Sequence, residues 1–354
     1  MKTVVTLGSG LAALGLGLFV VAAAPRAPMP VAQSGPEGYH VSKTVPLPGD
    51  SGWDYLSEDP ANRRLYINHG NEVVVVNMDN DRVVGTIGDL HGIHGTAISD
   101  KDGHGFTTNG GNQTITMFDI KTLAKIKSIP APKDVDGIIY DPSTDRVFAF
   151  CGDANQAIAV DAKTGDVAGT IDLGGGPEFA AADGQGHVYN VLEDKSELLD
   201  IDAHTLKILN RWPLTGCEGP SGVAMDAAHH RVFAGCHSGV VAIVNAETGQ
   251  VIATPKIGRG VDAARFDPGT GLIFTSQGDG TITVVHEDTP DTYTELGNIK
   301  TEDRARTMAL DPKTHTLYTV TAKFGPAPAA PAGGRRGGRA PLVPGSFHLL
   351  VITK

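Results

Sequence analysis

Residues 136–171 read DGIIYDPSTDRVFAFCGDANQAIAVDAKTGDVAGTI, and that one stretch holds four short apolar segments separated by turn residues. Ile138-Ile139-Tyr140 runs into Asp141-Pro142, where proline fixes the backbone for a tight turn, and Val147-Phe148-Ala149-Phe150 follows. A third segment, Ala157-Ile158-Ala159-Val160, ends at Asp161-Ala162-Lys163-Thr164-Gly165, and Val167-Ala168-Gly169-Thr170-Ile171 makes a fourth. Runs of four to six β-branched and aliphatic residues at this spacing predict strands joined by hairpins, with no room for a helix.

The same phrase recurs along the chain. A polar leading residue, a short strand, a turn and an aromatic occur at Asp54 to Tyr66, His94 to Phe106, Asp136 to Phe148, Glu178 to Tyr189, Ser221 to Phe233, Asp262 to Phe274 and Arg306 to Tyr318. The aromatic lies 12 positions after the leading residue in six repeats and 11 in the fourth, and successive leading residues are 40 to 44 apart. Four strands at this period are a propeller blade, so the fold class is all-β: a seven-bladed β-propeller with four antiparallel strands per blade. The last repeat supplies three strands, near Thr307 to Leu310, Leu317 to Thr321 and Phe347 to Thr353, before the sequence stops. Val41 to Pro46 matches the fourth-strand pattern, so the front of the chain is expected to close the ring and remove the open edges.

These phrases resemble the YVTN-repeat, YncE-like family of seven-bladed propellers. Asp-Pro-x-x-x-Arg-Leu-Tyr stands at Asp59 to Tyr66, and Asp161 to Gly165 and Asn245 to Gly249 are copies of the third-strand turn. The likeness spans Gly38 to Lys354, although the literal Tyr-Val-Thr-Asn is replaced by Tyr66-Ile67-Asn68-His69 in blade one and Tyr318-Thr319-Val320-Thr321 in blade seven. It implies an exported bacterial propeller and supplies no agreed catalytic motif.

Met1-Lys2-Thr3 followed by an apolar run to Ala24 and the triplet Ala22-Ala23-Ala24 reads as a secretory signal peptide. Residues 1–32 are therefore expected to be a signal and a short Pro/Ala linker, and residues 38–354 one propeller in the periplasm or medium. With no Cys before Cys151, a lipoprotein anchor is not expected, nor is membrane contact after signal removal. A net charge of −11 argues against nucleic acid, whose backbone demands a clustered basic surface. Arg335, Arg336 and Arg339 fall in a Pro/Gly-rich stretch inside 323–345, read as a flexible loop with too little charge for that role. A monomer is expected.

Repeat position predicts which face a residue occupies. Leading residues open the innermost strands, so Asp54, His94, Asp136, Glu178, Ser221, Asp262 and Arg306 should ring the channel mouth. The ends of the second strands, His69, Asn109, Cys151, Glu193, His237, Gln277 and Thr321, should form an outer ring on that face. Of 13 histidines, His104, His187, His229, His230 and His315 fall in turns of the opposite face and read as solvated surface. His69, His91, His94 and His237 remain for the mouth. Four inner carboxylates repel one another unless a cation, a proton or Arg306 offsets them, which marks the ring as a candidate site.

Imidazole with carboxylate suits Zn²⁺, Cu²⁺ or Fe²⁺, and carboxylates with water suit Ca²⁺ or Mg²⁺. The expected metal ligands are His69, His94 and Glu178. Asp54, His91, Asp136, Glu193 and Ser221 are expected to line a small-ligand pocket, the serine as a turn residue, since no helix follows it to make a nucleophile elbow. Cys217 and Cys236 belong to the same face of blade five and are expected to form a disulfide. Three functions follow: a protein that binds a small ligand or divalent metal; a metal-dependent lactone hydrolase, lyase or isomerase; or a protein-interaction platform. In the enzyme, His237 or Asp262 would move a proton, Arg306 would grip a substrate carboxylate and the 323–345 loop would act as a lid. The platform would present Trp53 and Phe179 at an exposed rim.

Overall fold

Each repeat phrase becomes one four-stranded antiparallel sheet, and seven such sheets close a ring. The structure is a computed structural model that describes residues 1–4, 34–327 and 340–354; most of the expected signal segment and Arg335, Arg336 and Arg339 lie outside the described residues. No described helix is long and apolar enough to cross a membrane. Blade three, read from its sequence above, contains strands Val135–Asp141, Arg146–Cys151, Gln156–Asp161 and Val167–Asp172 in sequential order. In blade seven, His40–Pro46 pairs antiparallel with His348–Thr353, from His40 opposite Thr353 to Pro46 opposite His348, so the closure comes from the front of the chain as expected.

Strand composition follows from position in the blade. The third strand of blade one, Glu72–Asn77, reads Val-Val-Val-Val in its middle because neighbouring blades cover both of its faces, and all four valines are fully buried. The fourth strand, Arg82–Ile87, lies at the perimeter and buries only Ile87. Of the seven repeat aromatics, Tyr66, Phe106, Phe148, Phe233, Phe274 and Tyr318 are at most 2% exposed and Tyr189 is 4% exposed, and they fill the layers between blades.

The turn after the first strand is built by a buried aspartate. Asp59 accepts the Asn62 amide at 2.9 Å, Asp141 the Thr144 amide at 3.0 Å, Asp267 the Gly269 amide at 3.0 Å and Asp311 the Lys313 amide at 3.1 Å. Two of these carboxylates also receive a basic side chain from the next blade. His315 Nδ1 lies 2.7 Å from Asp267, and Arg63 Nη2 lies 2.7 Å from Asp311. Reading His187, His229 and His315 as solvated surface is therefore incomplete: His187 pairs with Asp200 at 2.7 Å, and His229 pairs with Asp226.

Candidate functional site

The leading residues are positioned by a repeated irregularity. In blades one to six the first strand carries one more residue than its partner at the mouth, as in blade one, where Trp53 faces His69 and Leu56 faces Ile67. The bulge spans Asp54, His94, Asp136, Glu178, Ser221 or Asp262, and such a bulge re-aims side chains away from the regular alternation. The inner strands also pack closely near the axis. A Cβ on Gly222 would come within 2.6 Å of the Ala264 amide nitrogen, so the residue after Ser221 has to be glycine. Blade seven departs from this pattern, since its first strand is only Ala309–Asp311 and Arg306 lies on irregular backbone before it.

Five ionisable side chains meet there, with Glu178 beside them. His94 Nδ1 lies 2.8 Å from Asp54 and 3.6 Å from Asp136, while Arg306 pairs with Asp262 and reaches Asp54 at 3.7 Å. A Cβ on Gly110 would sit 2.8 Å from His94 Nε2, so the glycine leaves room for the imidazole. One oxygen of Asp136 and one of Asp262 are buried without a hydrogen-bond partner. Such groups are costly in a dry protein and call for a proton, water or ligand.

The electrostatics have the sign expected of crowded carboxylates. Burial, then the charges of Asp136, Glu193, Asp262 and Asp54, pushes Glu178 up to about 8. Burial lifts Asp262 to about 7 against the opposing charge of Arg306, with Asp54 and Asp136 adding to the rise. Asp136 is raised to about 6 by burial, with His94 opposing and Asp54 and Asp134 reinforcing. Burial disfavours the His94 cation, but its hydrogen bond to Asp54 and the charges of Asp136 and Asp54 prevail and hold it at about 9. Three carboxyls of the ring are thus held above their ordinary range and His94 above its own, as crowding of like charge in a buried place requires.

Beneath the ring the channel narrows at two aromatics. Tyr55 and Phe179 are buried in edge-to-face contact, and burial together with Asp262, Asp136, Glu178 and Asp54 drives the Tyr55 phenol well above its ordinary range. Tyr55 and Phe179 also line a cavity of about 460 Å³ that continues along the first strands past Glu58, Tyr140, Met225 and Arg265. Trp53 stacks on Phe347 with ring centroids 5.5 Å apart. Neither Trp53 nor Phe179 is the exposed rim aromatic expected from the sequence; both are packing residues.

The structure redistributes the other expected site residues. His69 is 1% exposed, stacks on Phe347 at 4.3 Å and accepts the Ser51 amide at Nε2, with Glu72 3.6 Å from Nδ1. The expected trio His69, His94 and Glu178 is not assembled. The ligand atoms within 4.8 Å of one another around His94 belong instead to Asp54, His94 and Asp136. His91 is exposed and lines a separate hollow with Asn109 and Lys125. His237 pairs with Glu193 at 3.2 Å, and Glu193 connects electrostatically to Glu178. Cys217 and Cys236 are bonded, with Cα atoms 5.5 Å apart, and hold the loop that leads to Ser221; Cys151 is a free buried thiol. Phe324 and Leu342 bridge the described ends of the loop expected as a lid, and Arg304 lies over the Phe324 ring. Tyr55 and Asp134 are the site residues that repeat reading missed. Neither is a leading residue, and only adjacency to Asp54 and Asp136 in the sequence marked them.

No family model and no curated protein matches the chain. Solved structures do. The structure of U3-55K superposes with a TM-score of 0.73 at 11% identity, covering 90% of this chain and 100% of that one. The RRP9 WD40 repeats give 0.73 at 10% identity, covering 90% and 98%. A chain of Kuenenia stuttgartiensis hydrazine synthase gives 0.67 at 14% identity, covering 77% and 93%. At such identities the likeness establishes the propeller architecture.

Proposed function

We propose that this chain is an exported propeller of the YVTN-repeat kind that binds a divalent metal ion, or a small ligand carrying positive charge, at the channel mouth. The observation that carries the reading is the ring itself: Asp54, Asp136, Glu178 and Asp262 around one arginine and one histidine, with an unpartnered oxygen on Asp136 and another on Asp262. Asp54, His94 and Asp136 offer one imidazole nitrogen and two carboxylates, a donor set suited to a first-row divalent ion. Glu178 and Asp262 would add charge beside it. Export is supported by the apolar run after Met1-Lys2-Thr3 and by the Cys217–Cys236 bond, since disulfides persist in oxidising compartments.

The test is metal analysis of protein purified from its native compartment, followed by calorimetric titration of chelator-stripped protein with Zn²⁺, Mn²⁺ and Ca²⁺. One ion bound with an affinity that falls at least tenfold in both Asp136→Asn and His94→Ala is the expected result. Unchanged binding in both variants, or no binding of any ion or of a polyamine probe, would overturn it.

One feature favours an enzyme at the same place. Glu178 keeps its proton near neutral pH beside the other carboxylates of the ring, and unlike protonation states in neighbouring carboxyls divide acid and base roles. Turnover of a lactone panel that disappears in Glu178→Gln while metal binding survives would establish that reading; no turnover with any metal loaded would remove it.

A further inference from the structure

Blade six breaks the repeat on the face opposite the mouth. Its third and fourth strands, Thr281–Thr289 and Thr292–Lys300, are nine residues each, where the third strands of the other blades have six. The extension is anchored to blade five. Arg231 Nε donates to the Pro290 carbonyl at 2.8 Å and Nη2 to Asp291 at 2.9 Å, and Tyr293 packs edge-on against Phe233. The anchoring carries Glu287 to the turn aspartate of blade five, Asp226, and to His229.

In two other blades the turn residue four places after the aspartate pairs with the turn aspartate of the blade before it: His315 with Asp267, and Arg63 with Asp311. In blade six the equivalent residue is Gly271, which has no side chain to offer. The Glu287 amide donates to the Gly271 carbonyl at 2.8 Å, the same backbone bond that Met78 makes to Arg63 and Ala246 to His230, so Glu287 stands where those blades have an apolar residue. A carboxylate of blade six therefore reaches Asp226, whereas blade seven brings His315 to Asp267 and blade one brings Arg63 to Asp311. Asp226 is only 6% exposed, so water does little to separate the two charges. Arg231 does not fill the gap, because its donors are spent on Asp291, Pro290 and the carbonyls of His229 and His230.

We propose that Asp226, His229 and Glu287 form a second divalent-cation site, independent of the mouth, for a first-row ion of the Zn²⁺ type that fastens blade six to blade five. One ligand atom from each of the three residues lies within 4.8 Å of the other two. Three donors bound tetrahedrally at about 2.1 Å sit roughly 3.4 Å apart, so small side-chain rotations complete the set. One imidazole with two carboxylates is an N/O donor set that favours Zn²⁺ over Ca²⁺, which takes six or more oxygens. His229 is half exposed and leaves the fourth position open to water. Tyr293 donates to a Glu287 oxygen at 3.1 Å and orients that carboxylate.

The experiment uses the full chain with the mouth silenced by His94→Ala and Asp136→Asn, stripped with EDTA and titrated with Zn²⁺ and, in parallel, Ca²⁺. The expected result is one Zn²⁺ per chain, with affinity reduced at least tenfold by Glu287→Gln and by His229→Ala. In the unsilenced chain, Glu287→Gln should lower the Zn²⁺ stoichiometry by one, which keeps the test valid if the double variant folds poorly. Glu287→Lys supplies the cation that blades one and seven provide; it should melt higher than its parent in EDTA and no longer respond to Zn²⁺. Absence of Zn²⁺ uptake in the silenced chain, uptake indifferent to Glu287→Gln, or tighter binding of Ca²⁺ than Zn²⁺ would overturn the assignment. Failure of the mouth site alone would leave the silenced and unsilenced chains equal in stoichiometry and would not touch this one.

Discussion

Replacing Glu178 by glutamine removes an ionisable group that the fold holds in its less soluble form, and the expected effect is stabilisation that grows with pH. The folded carboxyl titrates at about 8 and the unfolded one near its ordinary value of 4.5. A raised carboxyl pKa means that the native state binds more protons than the unfolded chain between those limits, so wild-type stability declines as pH rises through that window and levels off above it. Integrated from well below 4.5 to pH 7, the loss is at most about 3 kcal/mol, taking about 1.4 kcal/mol per pKa unit. Glu178 is partly exposed, and solvent screening reduces the figure to about 1–2 kcal/mol. Urea denaturation in EDTA at pH 5, 7 and 9 is the assay. Wild type and Glu178→Gln should be nearly equal at pH 5 and separate progressively above it, and if the mouth binds a divalent ion as proposed, adding that ion should restore much of the wild-type loss. Parallel stability curves for the two proteins from pH 5 to 9 would refute the claim that ring carboxylates repel one another in the fold.

Four further outcomes follow from the same structure. Arg306→Ala leaves Asp262 and Asp54 without their guanidinium; the Asp262 proton should then persist to higher pH, read by carboxyl infrared or NMR titration, and urea midpoints should fall most above pH 7. Cys217→Ser with Cys236→Ser opens a loop with a sequence separation of 19 and should cost about 2–4 kcal/mol relative to the disulfide-bonded parent under non-reducing denaturation, with the folded variant keeping the parent's far-UV spectrum. Phe274→Ala, a fully buried repeat aromatic, should cost about 3–5 kcal/mol by urea midpoint. Deleting residues 34–46 should convert a monodisperse protein into aggregates on size exclusion, because it uncovers the full hydrogen-bonding edge of His348–Thr353.

The ring of blades was legible because the signal repeats. A leading residue, a turn and an aromatic at nearly constant spacing report the same packing requirement seven times, and even the missing fourth strand of blade seven could be located at Val41 to Pro46 by pattern. The same arithmetic placed Asp54, His94, Asp136, Glu178, Asp262 and Arg306 at one mouth, since repeat position fixes which face a residue occupies. It could not say which side chains would meet. His69 and His94 are one blade apart and looked like partners, but the end of a second strand is a packing position: Phe347 covers the His69 ring and Ser51 and Glu72 occupy its nitrogens. His94 instead lies between the leading residues on either side of it, Asp54 and Asp136, since first-strand residues of adjacent blades are the nearest neighbours around the axis.

The opposite face illustrates the converse. His229 has the turn position of a surface histidine, and nothing in its own repeat distinguishes it from His104 or His230. What sets it apart comes from another blade: Gly271 in the place of His315 and Arg63, and a hairpin long enough to bring Glu287 across. In a repeat protein the departures from the consensus carry this information, because the consensus residues are committed to packing and the turn aspartates to their loops. A glutamate at 287, where blades one to five place Met78, Ile120, Ala162, Ala203 and Ala246, is such a departure. It brings two carboxylates and an imidazole together. Whether Zn²⁺ or a proton offsets their charge is the point on which Glu287→Lys and Glu287→Gln part. A lysine would stabilise the chain in either case, whereas glutamine lowers Zn²⁺ affinity only if the ion is there to be lost.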